Sequence, residues 1–259
     1  MNDVHYEVRD QVAEIGLDHP PANALTEPMI DRLLHALQRA ADDEGVRAVI
    51  VHGRVPGRFC AGLDLKRLQG ASPESVRTLL DKLYPALTEA QHRLGKPSIA
   101  AVEGSARGGG MTLAISCDLI VASRTSTFGY PEIDLGVLPA IHFTHLPRVV
   151  GRYRAFDLLF TGRSFDAAEA QALGLVSRVV DEGAALAEAR ALARVFASKA
   201  PGAMRIGHAA FHAATDHGYR QGVAGAVDLF CHVAVAAEGR EGVAAFADKR
   251  PPGWQREPG

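Results

Sequence analysis

Two glycine-bearing segments and one glutamate are where this sequence offers chemistry. Phe59-Cys60-Ala61-Gly62-Leu63-Asp64-Leu65-Lys66 turns through small residues, which lets a ligand approach the backbone. Gly104-Ser105-Ala106-Arg107-Gly108-Gly109-Gly110 precedes a short apolar run, Met111 to Ser116, so its amides can lie at a helix N-terminus, where partial positive charge collects. Two such loops can converge on one anion. Either alone is as readily a tight strand-to-helix turn, since glycine also serves simply to permit positive φ. Finding both favours the binding reading. Glu132, in Phe128-Gly129-Tyr130-Pro131-Glu132-Ile133-Asp134-Leu135-Gly136, is an acid in a largely apolar stretch, where burial would raise its pKa and suit it to proton transfer. An isolated Pro-Glu pair is more commonly a surface turn or a helix start, so only its context promotes it.

Rival chemistries find little support. The G-x-G-x-x-G spacing with an acid about 20 residues on is missing, and no G-K-[S/T] closes a phosphate loop. His208 and His212 stand four apart on a predicted helix with His217 beyond, the spacing of a zinc-binding pair, but no Glu follows His208. The expectation is a solvated helix face and no metal. Cys60, Cys117 and Cys231 are odd in number and far apart, which predicts buried, inert thiols. A net charge of −2 without a Lys/Arg run leaves no electrostatic footprint for nucleic acid or an anionic membrane. Met1 to Asp10 has no apolar targeting core, and no stretch approaches the ~18 apolar residues of a membrane helix, so a cytoplasmic location is expected.

The elements that must position these segments follow from the patterning. A chain of 259 residues, 47% apolar and 22% charged, fits one large α/β domain and excludes disordered and fibrous classes. His5 to Leu17 predicts two short strands in a hairpin around Asp10. Thr26 is an N-cap candidate with Pro28 in the first turn, and Ile30, Leu33, Leu34 and Leu37 recur at helical spacing up to Asp42. Arg47 to His52 and Ser98 to Val102 are short apolar runs that fit buried parallel strands, each followed by one of the glycine loops. Pro73 to about Leu94 predicts one helix, Leu119 to Ala122 a strand, and Val176 to Val180 a last strand. Ala184 to Ala247 is alanine-rich and predicted almost wholly helical, a packing or oligomerisation module. The alternation predicts a largely parallel sheet with function-bearing loops at the carboxyl ends of its strands.

Five ordered segments then carry a resemblance. Phe59 to Lys66, AVEGSARGGGMTLAISCD (residues 101–118), Phe128 to Gly136, LPRVVGRYRAFDLLFTGR and EAQALGLVSRVV together resemble the crotonase, or enoyl-CoA hydratase/isomerase, family. The closing EGVAAFADKRPPGW extends the similarity to roughly Tyr6 to Trp254. The resemblance implies an α/β fold, a spiral of repeated ββα units (residues 1–198) with a C-terminal helical trimerisation region (199–259), assembling as a homotrimer or a dimer of trimers. It implies an acyl-CoA thioester as the partner, with coenzyme A part of the substrate and no separate cofactor. The thioester oxygen would sit in an oxyanion hole formed by the amides of Leu63 and Gly109. Ala61, Lys66, Phe246 and Lys249 would contact CoA, although these lysines could equally be surface residues.

The sequence departs from the family where proton handling is concerned. Hydratases of the family resemble one another in having two glutamates; here the first position holds Thr112 and only Glu132 matches. A single glutamate at the later position resembles the family's enoyl-CoA isomerases, in which one carboxylate takes a proton from C2 and returns it at C4. The expected activity is therefore isomerase-like, with 2-enoyl-CoA hydration as the alternative and a non-catalytic CoA-thioester binder as a third reading. Thr112 can orient a water. Asp134, His142, His145 and Tyr130 are auxiliary candidates, against the plainer and preferred reading of helix-start or pocket-wall residues. The family's glycine-rich stretch is replaced by the bulkier Pro139 to Leu146, which implies a different acyl pocket. Asp118 is expected to be a structural acid at a strand entrance.

Overall fold

A computed structural model describes residues 3–64 and 72–216, together with 237–238, 241, 244–245, 248 and 250–255. The chain opens with an antiparallel hairpin of β1 (Val4–Arg9) and β2 (Val12–Leu17), in which Arg9 stands opposite Val12. Its two turn residues, Asp10 and Gln11, both have positive φ (49° and 64°), the geometry whose twist matches a two-residue hairpin. Helix α1 (Glu27–Asp42) follows, with the Thr26 hydroxyl accepting from Met29 N–H and Pro28 in the first turn, as its sequence predicts. Its buried residues, Met29, Ile30, Leu33, Ala36, Leu37 and Ala40, form one stripe.

A strand–strand–helix unit then repeats. The first comprises β3 (Ala48–Gly53), β4 (Arg58–Cys60) and helices α2 (Pro73–Asp81) and α3 (Leu87–Leu94). The second comprises β5 (Ser98–Val102), β6 (Ser105–Arg107) and α4 (Gly109–Ser116). The third comprises β7 (Leu119–Ser123), β8 (Thr127–Gly129), a 3-10 helix (Pro131–Leu135), α5 (His142–Val150) and α6 (Arg152–Thr161). After these come β9 (Ser164–Asp166), α7 (Ala167–Ala172), β10 (Arg178–Val180), α8 (Ala185–Ala197) and α9 (Pro201–Asp216). The longer strands join in the order β1-β2-β3-β5-β7-β10, parallel apart from β1. The second strand of each unit enters another sheet, β4-β6-β8-β9, with β9 antiparallel.

Both faces of the larger sheet are covered at β3, β5 and β7, which is why these strands read as nearly unbroken apolar runs. In β3, Val49 and Val51 join the main core, while Ala48 and Ile50 meet Ala185, Ala189, Leu192 and Ala193 of α8. Cys60 and Cys117 are free and buried, and burial pushes both thiols up to about 12, so they are inert as expected. Cys231 lies outside the described residues. No helix among the described residues is long and apolar enough to cross a membrane.

Three expectations need correction. The helix predicted over Pro73 to Leu94 is interrupted at Lys82–Ala86 by a π-helical turn containing Pro85, which lacks the N–H an α-helix needs there. The whole smaller sheet, β4, β6, β8 and β9, goes unpredicted, with two of its strands inside segments expected to be loops, because a three-residue strand has no period to detect. The alanine-rich tail breaks at Ser198, just before Pro201, which starts α9.

One half-buried ion pair fastens α8 to the sheet. Arg190 donates through Nε and Nη2 to both oxygens of Glu14, at 2.7 Å each; the Glu14 side chain is 7% exposed and that of Arg190 39%. The hydrogen bonds from Arg190 hold the Glu14 carboxyl below the usual carboxylate range despite its burial. A depressed folded-state pKa contributes stability above the unfolded pKa and loses it as pH falls through the folded one. Arg190→Ala is expected to cost about 2–3 kcal/mol, less than a fully buried pair because Arg190 is partly solvated. Urea denaturation at neutral pH checks this, and the gap from wild type should narrow as acid protonates Glu14.

Candidate active site

The two glycine loops touch. Beyond β4, Ala61 N–H donates to the Ala22 carbonyl at 3.0 Å, and a one-residue parallel bridge forms between Leu25 and Leu63. That bridge uses the Gly62 carbonyl and the Asp64 N–H, at 2.7 and 2.9 Å from Leu25, so the Leu63 N–H points to its other side. The second loop turns at Gly108 (φ 49°, ψ −115°) into α4, whose first residue is Gly109. The Gly109 N–H is therefore one of the donors that an α-helix leaves without an internal partner.

Absent Cβ atoms allow the contact. A Cβ on Gly110 would lie 2.2 Å from the Cys60 carbonyl oxygen, and one on Gly62 would lie 2.8 Å from the Arg107 oxygen and 3.1 Å from Gly109 N. A Cβ on Gly109 would stand 3.3 Å from Leu63 N. The amides of Leu63 and Gly109 are thus neighbours, and Ala61 beside them is exposed.

Glu132 belongs to the same place. It sits in the first turn of the 3-10 helix after β8, and a Cβ on Gly108 would lie 2.8 Å from its Oε1. Its Oε2 is buried with no hydrogen-bond partner among the described residues. Burial raises its pKa, as its apolar setting predicts, offset in part by a hydrogen bond from its own backbone. Tyr84 and Tyr130 border it: burial, and then the Glu132 charge, raises both phenol pKa values.

Thr112 and His142 form a pair that the sequence did not disclose. Thr112 Oγ1 lies 3.1 Å from His142 Nε2, with the two residues only 3% and 1% exposed. The Tyr130 ring packs on His142 at 4.5 Å between centroids. Burial, followed by nearby His145, pushes the His142 pKa down to about 3, so the imidazole is neutral at physiological pH. Its Nδ1 is buried without a partner among the described residues. His145, one turn along α5, also has a lowered pKa from burial, and its ring centroid is 6.3 Å from that of His142. Asp134 turns elsewhere: it is exposed, and its carboxylate stands where a Cβ on Gly162 would be, at 2.7 Å. The structure therefore gathers Leu63, Gly109, Thr112, Tyr130, Glu132 and His142 around Gly108 and leaves Asp134 out. Lys66, Phe246 and Lys249 lie outside the described residues, as does His217.

The enoyl-CoA hydratase/isomerase family model matches residues 7–257. The chain belongs to this family. A probable enoyl-CoA hydratase of Bacillus subtilis is 34% identical over 99% of this chain and 100% of its own length. Human mitochondrial methylglutaconyl-CoA hydratase is 34% identical over 91% of this chain and 70% of its own. Among solved structures, the enoyl-CoA hydratase from Bacillus anthracis superposes with a TM-score of 0.92 at 30% identity, covering 98% of this chain and 100% of that one. The two-sheet architecture is accordingly the crotonase fold, and family members act on acyl-CoA thioesters.

His208 and His212 overturn one expectation. They do not form a solvated helix face: the His208 side chain is 7% exposed, and both rings meet Asp118. Asp118 is the structural acid expected, accepting from Ser98 N–H and Oγ at 2.7 and 2.9 Å.

The two glycines at the loop contact should respond differently to an added methyl group. Gly108→Ala meets only the mobile end of Glu132 but keeps a backbone conformation that favours glycine, so a loss of about 1–3 kcal/mol is expected with the fold retained. Gly110→Ala meets the Cys60 backbone, which no rotamer can relieve, and should be the more destabilised. Denaturation midpoints of the two variants check the order.

Proposed function

We propose that the chain shifts the double bond of an enoyl-CoA thioester. The thioester oxygen lies between the N–H groups of Leu63 and Gly109, and Glu132 removes a proton from C2 of a 3-enoyl-CoA. The electron pair delocalises through C2 to C4 as a dienolate, and the same carboxyl group returns the proton at C4 to give the 2-enoyl-CoA. No water or second substrate enters, so atoms and charge balance. The observation that carries this reading is the Glu132 carboxylate beside Gly108, with one oxygen buried and unpartnered among the described residues, while Thr112 and a neutral His142 stand nearby.

The chemistry is consistent in magnitude. Backbone donors aimed at a developing oxyanion in a dry site supply about 3–4 kcal/mol each. A desolvated carboxylate is a stronger base than a solvated one, and a positioned general base contributes about 10²–10⁴-fold.

Hydration of a 2-enoyl-CoA is the second reading. Two observations favour it: the Thr112–His142 hydrogen bond, which could hold a water, and the names of the relatives, which are hydratases. Offering the purified enzyme 3-enoyl-CoA and 2-enoyl-CoA substrates separates the two. Isomerisation is expected to dominate and to fall about 10²–10⁴-fold in Glu132→Gln. Fast hydration lost in both Glu132→Gln and Thr112→Val would replace the first reading by the second.

The pH profile follows from the raised pKa of Glu132. The base must be ionised, so kcat/KM should rise with pH through an apparent pKa above the usual carboxylate range and then level off. A rising limb at an ordinary carboxylate pKa would remove the desolvation argument.

A further inference from the structure

Away from the loops that carry Leu63, Gly109 and Glu132, three metal-ligating side chains converge. His208 and His212 lie one turn apart on α9, and Asp118 stands at the entrance to β7. Asp118 Oδ1 is 3.1 Å from His208 Nε2 and 2.9 Å from His212 Nε2, and the two Nε2 atoms are 3.3 Å apart. We propose that these three residues bind a divalent transition-metal ion, zinc by the nature of the donors, which ties α9 to the core.

The spacing is the first argument. Donor atoms about 2.0–2.1 Å from a common tetrahedral centre lie about 3.3 Å from one another, close to all three sides of this triangle. Two imidazoles and a carboxylate suit zinc and its neighbours rather than calcium or magnesium, which take oxygen ligands. Three protein donors leave a fourth position for water, and side-chain exposures of 20% for Asp118 and 23% for His212 give an ion a way in.

The surroundings hold the donors in place. Asp118 Oδ2 accepts from Ser98 N–H and Oγ, which orients the carboxylate; His208 Nε2 lies within reach of both its oxygens, 3.0 Å from Oδ2 and 3.1 Å from Oδ1, and His212 Nε2 meets Oδ1. His92 of α3 packs its ring 4.8 Å from that of His212. Without an ion the three groups share only hydrogen bonds set by the ring tautomers, with the two Nε2 atoms 3.3 Å apart; an ion uses one lone pair from each instead. His208 Nδ1 is buried without an acceptor among the described residues, so the outer support is incomplete, a deficit worth about 10–100-fold in affinity.

The test uses the full chain without a histidine tag, stripped with chelator and titrated with Co²⁺ and then Zn²⁺. One Co²⁺ per chain should bind with the intense visible absorption of a four-coordinate ion and be displaced by Zn²⁺, and Zn²⁺ should raise the Tm. His212→Ala should weaken binding by at least about 100-fold, more than the loss of an outer-shell partner. Only the faint spectrum of six-coordinate Co²⁺ in the wild type, or binding undiminished in His212→Ala, would overturn the site. Should that variant not fold, the wild-type Co²⁺ spectrum alone decides.

Discussion

Between the Cys60 carbonyl and the first turn of α4 there is no room for a methyl group, and much of the candidate site depends on that closeness. Parallel pairing of β4 with β6 brings the end of one strand–strand–helix unit against the glycine loop of the next. Gly62, Gly109 and Gly110 then let backbone meet backbone, so that two N–H groups come from different loops yet stand as neighbours. Neither amide is taken up by the scaffold: one faces away from a one-residue bridge, and the other begins a helix. Positive φ at Gly108 turns the chain so sharply that the Glu132 carboxylate lies over the same glycine. A side chain there would displace the acid or the loop.

The scaffold keeps this contact rigid by stacking the same unit three times. Each longer strand of a unit lies in the larger sheet and each short partner crosses into the smaller sheet, where the two glycine loops follow the neighbouring strands β4 and β6. Repetition makes the loop positions a consequence of strand pairing rather than of loop sequence. The larger sheet is fastened on its outer face by α8 through Glu14 and Arg190, and the core is bound to α9 through Asp118. Both fasteners join residues far apart in sequence, which is where cooperativity between the strand units and the C-terminal helices can arise.

What the sequence disclosed follows the same division between local and distant. Hairpin, N-cap and strand runs were legible because turn chemistry, capping and apolar periodicity act over a few residues. The convergence of the glycine loops was legible because the glycines signal that something must come close, and the family resemblance said what. The Thr112–His142 bond was not, since it spans 30 residues and depends on how α5 packs on α4. His208 and His212 showed the right interval, but their partner Asp118 lies 90 and 94 positions away, and no local pattern points to it. Asp134 was an auxiliary candidate against a preferred plainer reading, and the plainer one holds: the 3-10 helix leaves it exposed beside Gly162.

Thr112, an uncharged residue beside the candidate acid, fits the electrostatics of the proposed reaction. Burial keeps His142 neutral and raises the phenols of Tyr84 and Tyr130, so among the described residues gathered around Gly108 only Glu132 brings a charge. When Glu132 takes a proton from C2 it loses its charge as the thioester oxygen gains one. The site holds a single negative charge throughout, passed from a carboxylate to an oxygen facing two N–H groups. A second ionised carboxylate would make that total two, at a separation and in a dielectric where like charges cost several kcal/mol. Such a cost is worth bearing where water must be activated, and a double-bond shift has no water to activate. A hydroxyl bonded to a neutral imidazole then fills the space without adding a charge.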